Sequence, residues 1–468
     1  MASSKHHSNK VEQAQGLYAT REKIYPRIVL GFFTRLKALS GIVLLGIFYL
    51  LPWIQWGDRQ GVLFDLPARQ FHLFGLTFWP QDFYYLTLLL VIAALSLFFF
   101  TSLAGRLWCG FACPQTIWTD AYLWMERLVE GDRAKQIKLD NAPLSFYKIR
   151  IKATKHSLWL IFALFTGFSF VGYFTPIREL TQGVMLFNLS EWETFWLLFY
   201  SLAIYGNAGW LREQVCTYMC PYARFQSAMF DHNTMIIAYD EKRGEPRGAR
   251  KKSGDYNTQG LGECINCTMC VQVCPTGIDI RDGLQYQCIS CSACVDVCNE
   301  IMDKMDYPKD LIRYTTENRL NGIPTHILRP RIFVYAGILL AVLIGIGYGI
   351  ATRSLVEVDV IRDRNSLFRE TPNGMIENVY QLRVMNLDKQ SHVYDVTASG
   401  IELLTLAKDR EIEVAPGSII TVPVRLLVVS DKLLKRSTMV TFKLTAQDNP
   451  ELTITEEARF LGPVVVRR

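Results

Sequence analysis

Five stretches of the chain are apolar for about twenty residues each: 38–56, 83–105, 157–177, 194–211 and 332–351. A helix of that length spans the hydrocarbon core of a bilayer, so each stretch predicts a transmembrane helix. The fourth is short and carries Asn207 in its interior. Trp53, Trp56, Trp79, Trp108, Trp159, Trp192 and Trp210 stand at or near the ends of the stretches. Indole rings collect at that level of a membrane. After residue 355 the pattern changes to period two. Tyr380, Leu382 and Val384 alternate with Gln381 and Arg383. Ile420, Val422, Val424 and Leu426 alternate with Thr421, Pro423 and Arg425, and Val440, Phe442 and Leu444 with Thr441, Lys443 and Thr445. Turn signals at Pro372-Asn373-Gly374, Pro416-Gly417 and Asp448-Asn449-Pro450 separate these runs. The pattern predicts half-buried antiparallel strands and, over about 110 residues, an immunoglobulin-like β-sandwich.

The predicted architecture is therefore multi-domain. It comprises a polar tail at 1–36, four membrane helices within 37–231, a soluble insert at 232–330, a fifth membrane helix at 331–352, and a β-sandwich at 353–468. Gly337, Ala341, Gly345 and Gly349 give the last helix a face of small residues. Such a face suits close packing within the bundle or in a homodimer. The sandwich has no cluster of His, Cys or Met and no catalytic constellation, which suggests a docking or assembly module.

Charge supplies orientation. Nine Lys and Arg lie between Arg106 and Lys155, whereas 57–82 and 178–193 hold only Arg59, Arg69 and Arg178. The positive-inside rule then puts the N-terminus and the insert in the cytoplasm and the C-terminal domain outside. In a bacterial inner membrane that exterior is the periplasm. The chain has 468 residues, half of them apolar, a fifth charged, with a formal net charge of +6. No basic run interleaved with aromatics points to nucleic acid.

The cysteines add the chemistry. All twelve fall between Cys109 and Cys298, on the predicted cytoplasmic side. Eight form two consecutive C-x2-C-x2-C-x3-C runs, Cys264-Cys267-Cys270-Cys274 and Cys288-Cys291-Cys294-Cys298. This is the ligand pattern of a bacterial ferredoxin with two [4Fe–4S] clusters, in which the fourth Cys of each run serves the other cluster. Cys264, Cys267, Cys270 and Cys298 are thus assigned to one cluster, and Cys288, Cys291, Cys294 and Cys274 to the second. The competing reading is a pair of zinc sites, but zinc takes four ligands, usually as two separated pairs. Pro275 follows the first run as usual; Asn299 replaces Pro after the second, at a position that turns the chain and ligates nothing.

The other four cysteines form two C-x3-C-Pro motifs, Cys109/Cys113 and Cys216/Cys220, 107 residues apart. Each follows a pair of membrane stretches, which predicts a duplicated unit that brings four thiols together at the cytoplasmic surface. Soft thiolates suit Cu(I), zinc or a small iron–sulfur cluster, and four reduced thiols without metal are the plain alternative. Met125, Met219 and Met229 are nearby soft donors, and His72, His156 and His232 lie near helix ends.

Together these features resemble the cytochrome c oxidase accessory proteins, the CcoG/FixG/RdxA family of membrane polyferredoxins. The resemblance covers the spans, both C-x3-C-Pro motifs, the two-cluster ferredoxin and the exterior β-domain. It implies reduction of Cu(II) to Cu(I) for copper delivery to cbb3-type cytochrome c oxidase, with a copper transporter or chaperone and oxidase assembly components as partners. Copper ligation by Cys109, Cys113, Cys216 and Cys220 follows from their chemistry. Two other functions fit the same residues: a quinol-linked electron relay to a partner protein, and a non-enzymatic assembly factor or redox sensor. No dinucleotide fingerprint identifies an electron donor.

Overall fold

The computed structural model describes residues 23–57, 59–252, 260–363, 366–388, 390–407, 411–433 and 435–463. Residues 1–22 of the predicted tail lie outside the described residues. The chain forms two compact units, 1–343 and 344–468.

In the first unit, α1 (Phe32–Leu50), α2 (Phe83–Ala104) and α5 (Phe146–Val171) are the long apolar helices. With their flanking turns they give spans at 32–53, 80–104 and 146–171, and α9 (Pro330–Ala351) gives a fourth. Among the described residues, four helices rather than five are long and apolar enough to cross a membrane. These helices mark a membrane protein. The expected span at 194–211 is instead an α-helix of 14 residues, α6 (Glu191–Ile204), continued by a π-helical stretch Tyr205–Leu211. Gly206, Asn207 and Gly209 fall in that stretch. Glycine and asparagine weaken the α-helical ladder, and π-turns are inserted where it is weak. The start of α6 is firm, since Ser190 and Glu193 form a reciprocal capping box.

Two further helices, α3 (Leu107–Phe111) and α4 (Pro114–Glu130), follow α2, and α7 (Pro221–Ala228) follows α6. The soluble insert pairs β1 (Ile236–Tyr239) antiparallel with β2 (Ile312–Thr315) and holds α8 (Ala293–Met305). Its apolar core consists of Ile237, Ile280, Val295, Met302, Leu311 and Ile312, with cysteines packed against them. The insert is joined to the helices. Asp296 of α8 accepts hydrogen bonds from the backbone N–H groups of Phe33 (3.2 Å) and Thr34 (2.7 Å), the unsatisfied donors at the start of α1. A carboxylate there is favoured by both the free N–H groups and the helix dipole.

The second unit contains two antiparallel sheets. One has the order β6 (Thr405–Leu406), β8 (Ile419–Val429), β4 (Met375–Asn386), β3 (Val356–Arg362). The other has the order β7 (Glu411–Val414), β5 (His392–Ser399), β9 (Ser437–Ala446), β10 (Thr453–Leu461). Tyr380, Leu382, Val384, Val424 and Leu426 join Val440, Phe442, Leu444 and Phe460 in one buried core. These are the inward positions of the period-two pattern, because alternate side chains of a strand point to one face.

Candidate iron–sulfur and thiol centre

The two cysteine runs fold into loops of the same shape. In the first, Asn266 and Thr268 take φ of 55° and 57°; in the second, Ser290 and Ser292 take 54° and 60°. Each pair stands two and four residues after the first Cys of its run. Left-handed residues alternating with ordinary ones turn successive backbone N–H groups inward, forming a nest for an anion. A [4Fe–4S] cube with four thiolates is such an anion.

Each loop borders a small cavity. Cys264, Cys267, Cys270 and Cys298 line one, beside Tyr239 and Met302. Cys274, Cys288, Cys291 and Cys294 line the other, where Cys270 also reaches the wall. The fourth Cys of each run thus lies against the cavity of the opposite run. Burial pushes the thiols of Cys270, Cys291 and Cys298 up to about 12 and Cys294 well above the ordinary thiol value, with neighbouring cysteines adding to the effect. Bare thiols there stay protonated, and ligated iron would supply the positive charge that holds them as thiolates. No three His, Cys, Asp or Glu among the described residues form a single-ion site. A cube places its four thiolates on four separate irons, and each cavity has the four cysteines of one such set on its wall. The second run ends differently from the first: Asn299 accepts a hydrogen bond from the backbone N–H of Asp310 (2.8 Å).

The C-x3-C-Pro motifs are also a matched pair. The helices before them end on Gly105 (φ 56°, ψ −120°) and Arg212 (φ 50°, ψ −115°). Cys109 and Cys216 follow four residues later, each within a helical turn. Cys113 and Cys220 are extended and immediately precede α4 and α7, with Pro114 and Pro221 in the first helical position. Proline fits there because its missing N–H would have had no helical partner. The second thiol of each pair therefore stands at a helix N-terminus. Cys113 receives hydrogen bonds from the backbone of Thr116 and Gln115 that partly offset the upward pull of burial. Burial, raised further by the charges of the other thiols, pushes Cys109 and Cys216 up to about 12. The four thiols feel one another's charge, although among the described residues no three of them are gathered tightly enough to form a single-ion site as they stand.

This thiol group sits directly on the ferredoxin insert. A Cβ at Gly110, between Cys109 and Cys113, would lie 2.8 Å from the carbonyl oxygens of both Ile289 and Ser290. Arg106 donates to the carbonyls of Tyr286, Cys288 and Ala223, so one guanidinium ties the Cys288 loop to α7. Gln226, fully buried, donates to the Gly105 carbonyl (3.1 Å) and accepts from the Cys109 thiol (3.5 Å).

Most of the other soft or basic side chains have settings of their own. Met125 packs with Tyr122, Trp159 and Ala208, and Met219 is mostly exposed. His72 pairs with Thr77, His156 with Tyr205, and His232 with Glu317. One group was not visible in the sequence. Glu126, at 1% exposure, binds Arg212 at 2.6 Å and Lys155 at 3.4 Å, while Glu130 binds Lys155 (3.0 Å) and Lys152 (2.8 Å). Burial tends to raise the Glu126 pKa, but Arg212, Lys23 and Lys155 together hold it below the usual carboxylate value. Arg212, whose left-handed backbone aims the chain towards Cys216, is fixed by this ion pair.

Known proteins share these features. Residues 211–317 match the model of a 4Fe-4S dicluster domain, residues 86–130 that of a 4Fe-4S binding domain, and residues 346–463 that of the IG-like fold at the C-terminal of FixG. The chain is similar to the nitrogen fixation protein FixG of Rhizobium meliloti, at 35% identity over 83% of this chain and 82% of that protein. It is similar to proteins RdxB and RdxA of Cereibacter sphaeroides: 39% identity over 88% of both chains, and 38% over 83% of this chain and 84% of RdxA.

Proposed function

Since the chain belongs to the FixG/RdxA family of iron–sulfur electron-transfer proteins, we propose that it is a membrane-bound cupric reductase that supplies Cu(I) for assembly of a cbb3-type cytochrome c oxidase. The observation that carries this reading is the contact of the four-thiol group with the Cys288–Cys291 loop through Gly110 and Arg106. Cys264, Cys267, Cys270 and Cys298 hold one cluster, and Cys274, Cys288, Cys291 and Cys294 the other. When bound, these clusters are one-electron carriers of low potential. Copper is the substrate: Cu(II) takes up one electron and leaves as Cu(I). Cys109, Cys113, Cys216 and Cys220 receive it. Thiolates favour the softer reduced ion, so the ligand set itself helps drive the reduction. Cys113 and Cys220 stand at the N-terminal ends of α4 and α7, where free backbone N–H groups face copper-bound sulfur.

In this reading the thiols and the insert face the cytoplasm, the sandwich faces the periplasm, and Cu(I) passes to a copper transporter or chaperone. The test is to reduce the purified protein, add Cu(II) and follow the cluster absorbance. Bleached clusters regain their absorbance as Cu(I) forms. Equal Cu(I) formation after Cys264→Ser and Cys288→Ser would end the proposal.

One observation favours a second reading of the four thiols. The 4Fe-4S binding domain match at 86–130 contains only Cys109 and Cys113. A cube needs four thiolates, and Cys216 and Cys220 would complete it as a third cluster. Iron analysis decides between the two: eight irons per chain fit the copper site and twelve fit a third cluster.

A further inference from the structure

A cavity of about 440 Å³ opens between α5 and the π-helical stretch that ends at Arg212. Lys155, His156, Trp159, Tyr205, Trp210 and Arg212 line it, with Lys23 at its rim. Nothing in the copper reading uses it. Its volume lies in the range of sites for small organic ligands.

The wall is largely aromatic. Trp159 is 3% exposed and is held by its indole N–H on the Tyr122 carbonyl (3.2 Å). His156 and Tyr205 stand around it, with centroids at 5.3 and 6.3 Å and steep interplanar angles of 81° and 75°. The ammonium of Lys155 lies 4.6 Å from the Trp159 ring centre and the Arg212 guanidinium 5.4 Å from it. Gly209 packs closely here, since a Cβ would come within 3.1 Å of the Tyr122 ring and 3.2 Å of Trp159. The His156 Nδ1 and the Tyr205 hydroxyl are 2.8 Å apart and form a hydrogen-bonded pair at the wall.

Charge then selects the ligand. Lys155 and Arg212 look like a phosphate site, but their charges are already met by Glu126 and Glu130, and those of Lys23 and Lys152 by Asp140 and Glu130. Four cations against three buried or half-buried carboxylates leave one net positive charge. An anionic lipid head group would have to compete with ion pairs at 2.6 to 3.0 Å. A neutral ring carrying oxygen acceptors needs only directional N–H and O–H donors and an aromatic wall, and both are present. The cavity also adjoins long apolar helices in a membrane electron-transfer protein, where a lipid-soluble ligand can reach it.

We propose that this cavity binds the head group of a membrane quinone or quinol, with the ring against Trp210 and a ring oxygen at the His156–Tyr205 pair. Binding alone is claimed, and it does not rest on the copper reading.

The experiment is equilibrium binding of a short-chain benzoquinone to the full-length protein in detergent, followed by calorimetry. One saturable site is expected. Tyr205→Phe removes a donor and His156→Gln alters the pair, so each weakens binding about tenfold, the loss of roughly one good hydrogen bond. Trp210→Ala, at a side chain 69% exposed, tests the ring contact without disturbing the core. His232→Gln, outside the cavity, leaves binding unchanged. Thermal melting of every variant reports folding separately. Absence of saturable binding, or equal affinity in folded wild type, Tyr205→Phe and Trp210→Ala, overturns the proposal. Phosphatidylglycerol vesicles provide the other arm: if that lipid displaces the quinone at sub-stoichiometric amounts and loses affinity in the same variants, the cavity is a lipid site and the proposal fails.

Discussion

Replacing Gly110 with alanine tests how tightly the thiol group is seated on the ferredoxin loop. The added Cβ would lie 2.8 Å from two carbonyl oxygens, Ile289 and Ser290, and 3.0 Å from the carbonyl carbon of Ser290. Ordinary contact begins near 3.4 Å, so α3 and the loop must separate by about 0.6 Å. All three neighbours are backbone atoms of the loop that carries Cys288 and Cys291, and no flexible side chain is available to yield. Overpacking of this kind costs about 1–3 kcal/mol, whereas alanine in a helical turn returns at most about 1 kcal/mol. The net effect is destabilising. The assay is thermal loss of cluster absorbance in the purified protein, with Gly41→Ala as control, because a Cβ there meets only Ile117 at an ordinary 3.8 Å. Gly110→Ala is expected to lose its clusters at lower temperature and to transfer electrons to Cu(II) more slowly. Gly41→Ala is expected to match wild type or slightly exceed it. If Gly110→Ala also matches wild type in both, the thiol group and the loop are not in the contact described.

Other perturbations have defined outcomes. Glu126→Gln leaves Arg212 and Lys155 buried without their shared carboxylate, a loss of about 3–5 kcal/mol; thermal melting should show a large drop, larger than that of an exposed control such as Glu402→Gln. In the sandwich, His392 is 2% exposed and places Nδ1 2.7 Å from Asp448 and Nε2 3.0 Å from Asp388. Both bonds need an imidazolium. Burial lowers its pKa, but the two carboxylates outweigh burial and raise it. This contribution to stability is complete below the unfolded histidine pKa near 6.5 and is lost as pH rises through the higher folded value; denaturant melts of the full chain at pH 5.5 and 8.5 should show it, and His392→Gln should abolish the difference. Phe442→Ala opens a hole in the fully buried core beside Tyr380, at about 3–5 kcal/mol; an unchanged sandwich melt would contradict the register.

What could be read from the sequence was what is local. The cysteine spacings specified two equal loops because ligand geometry is set within seven residues, and the loops take the same left-handed turns. The alternation through Tyr380–Val384 and Val440–Leu444 identified core positions because a strand's two faces are fixed by parity. The turn at Arg212 was invisible, since a non-glycine residue rarely adopts positive φ and the ion pair that holds it comes from Glu126, 86 residues away. The π-helical stretch was hidden for a related reason: apolar composition at 194–211 says nothing of how the helical ladder is closed. Asp296 capping α1 joins residues more than 260 apart. The small-residue face of α9 remains a feature of sequence, because a Cβ at Gly337 or Gly345 would meet nothing within 4 Å.

The central claim is that the four C-x3-C-Pro thiols receive copper reduced by this chain. The most direct test compares wild type with a variant carrying Cys109→Ser, Cys113→Ser, Cys216→Ser and Cys220→Ser, both reduced in advance, both checked by EPR and iron analysis for two [4Fe–4S] clusters, then mixed with one equivalent of Cu(II). Wild type is predicted to give up one of its two cluster electrons, regaining about half of the bleached absorbance, while one Cu(I) per chain is retained. The variant is predicted to keep its clusters reduced and to bind no Cu(I). Reoxidation and Cu(I) retention at wild-type levels in the variant would contradict the account.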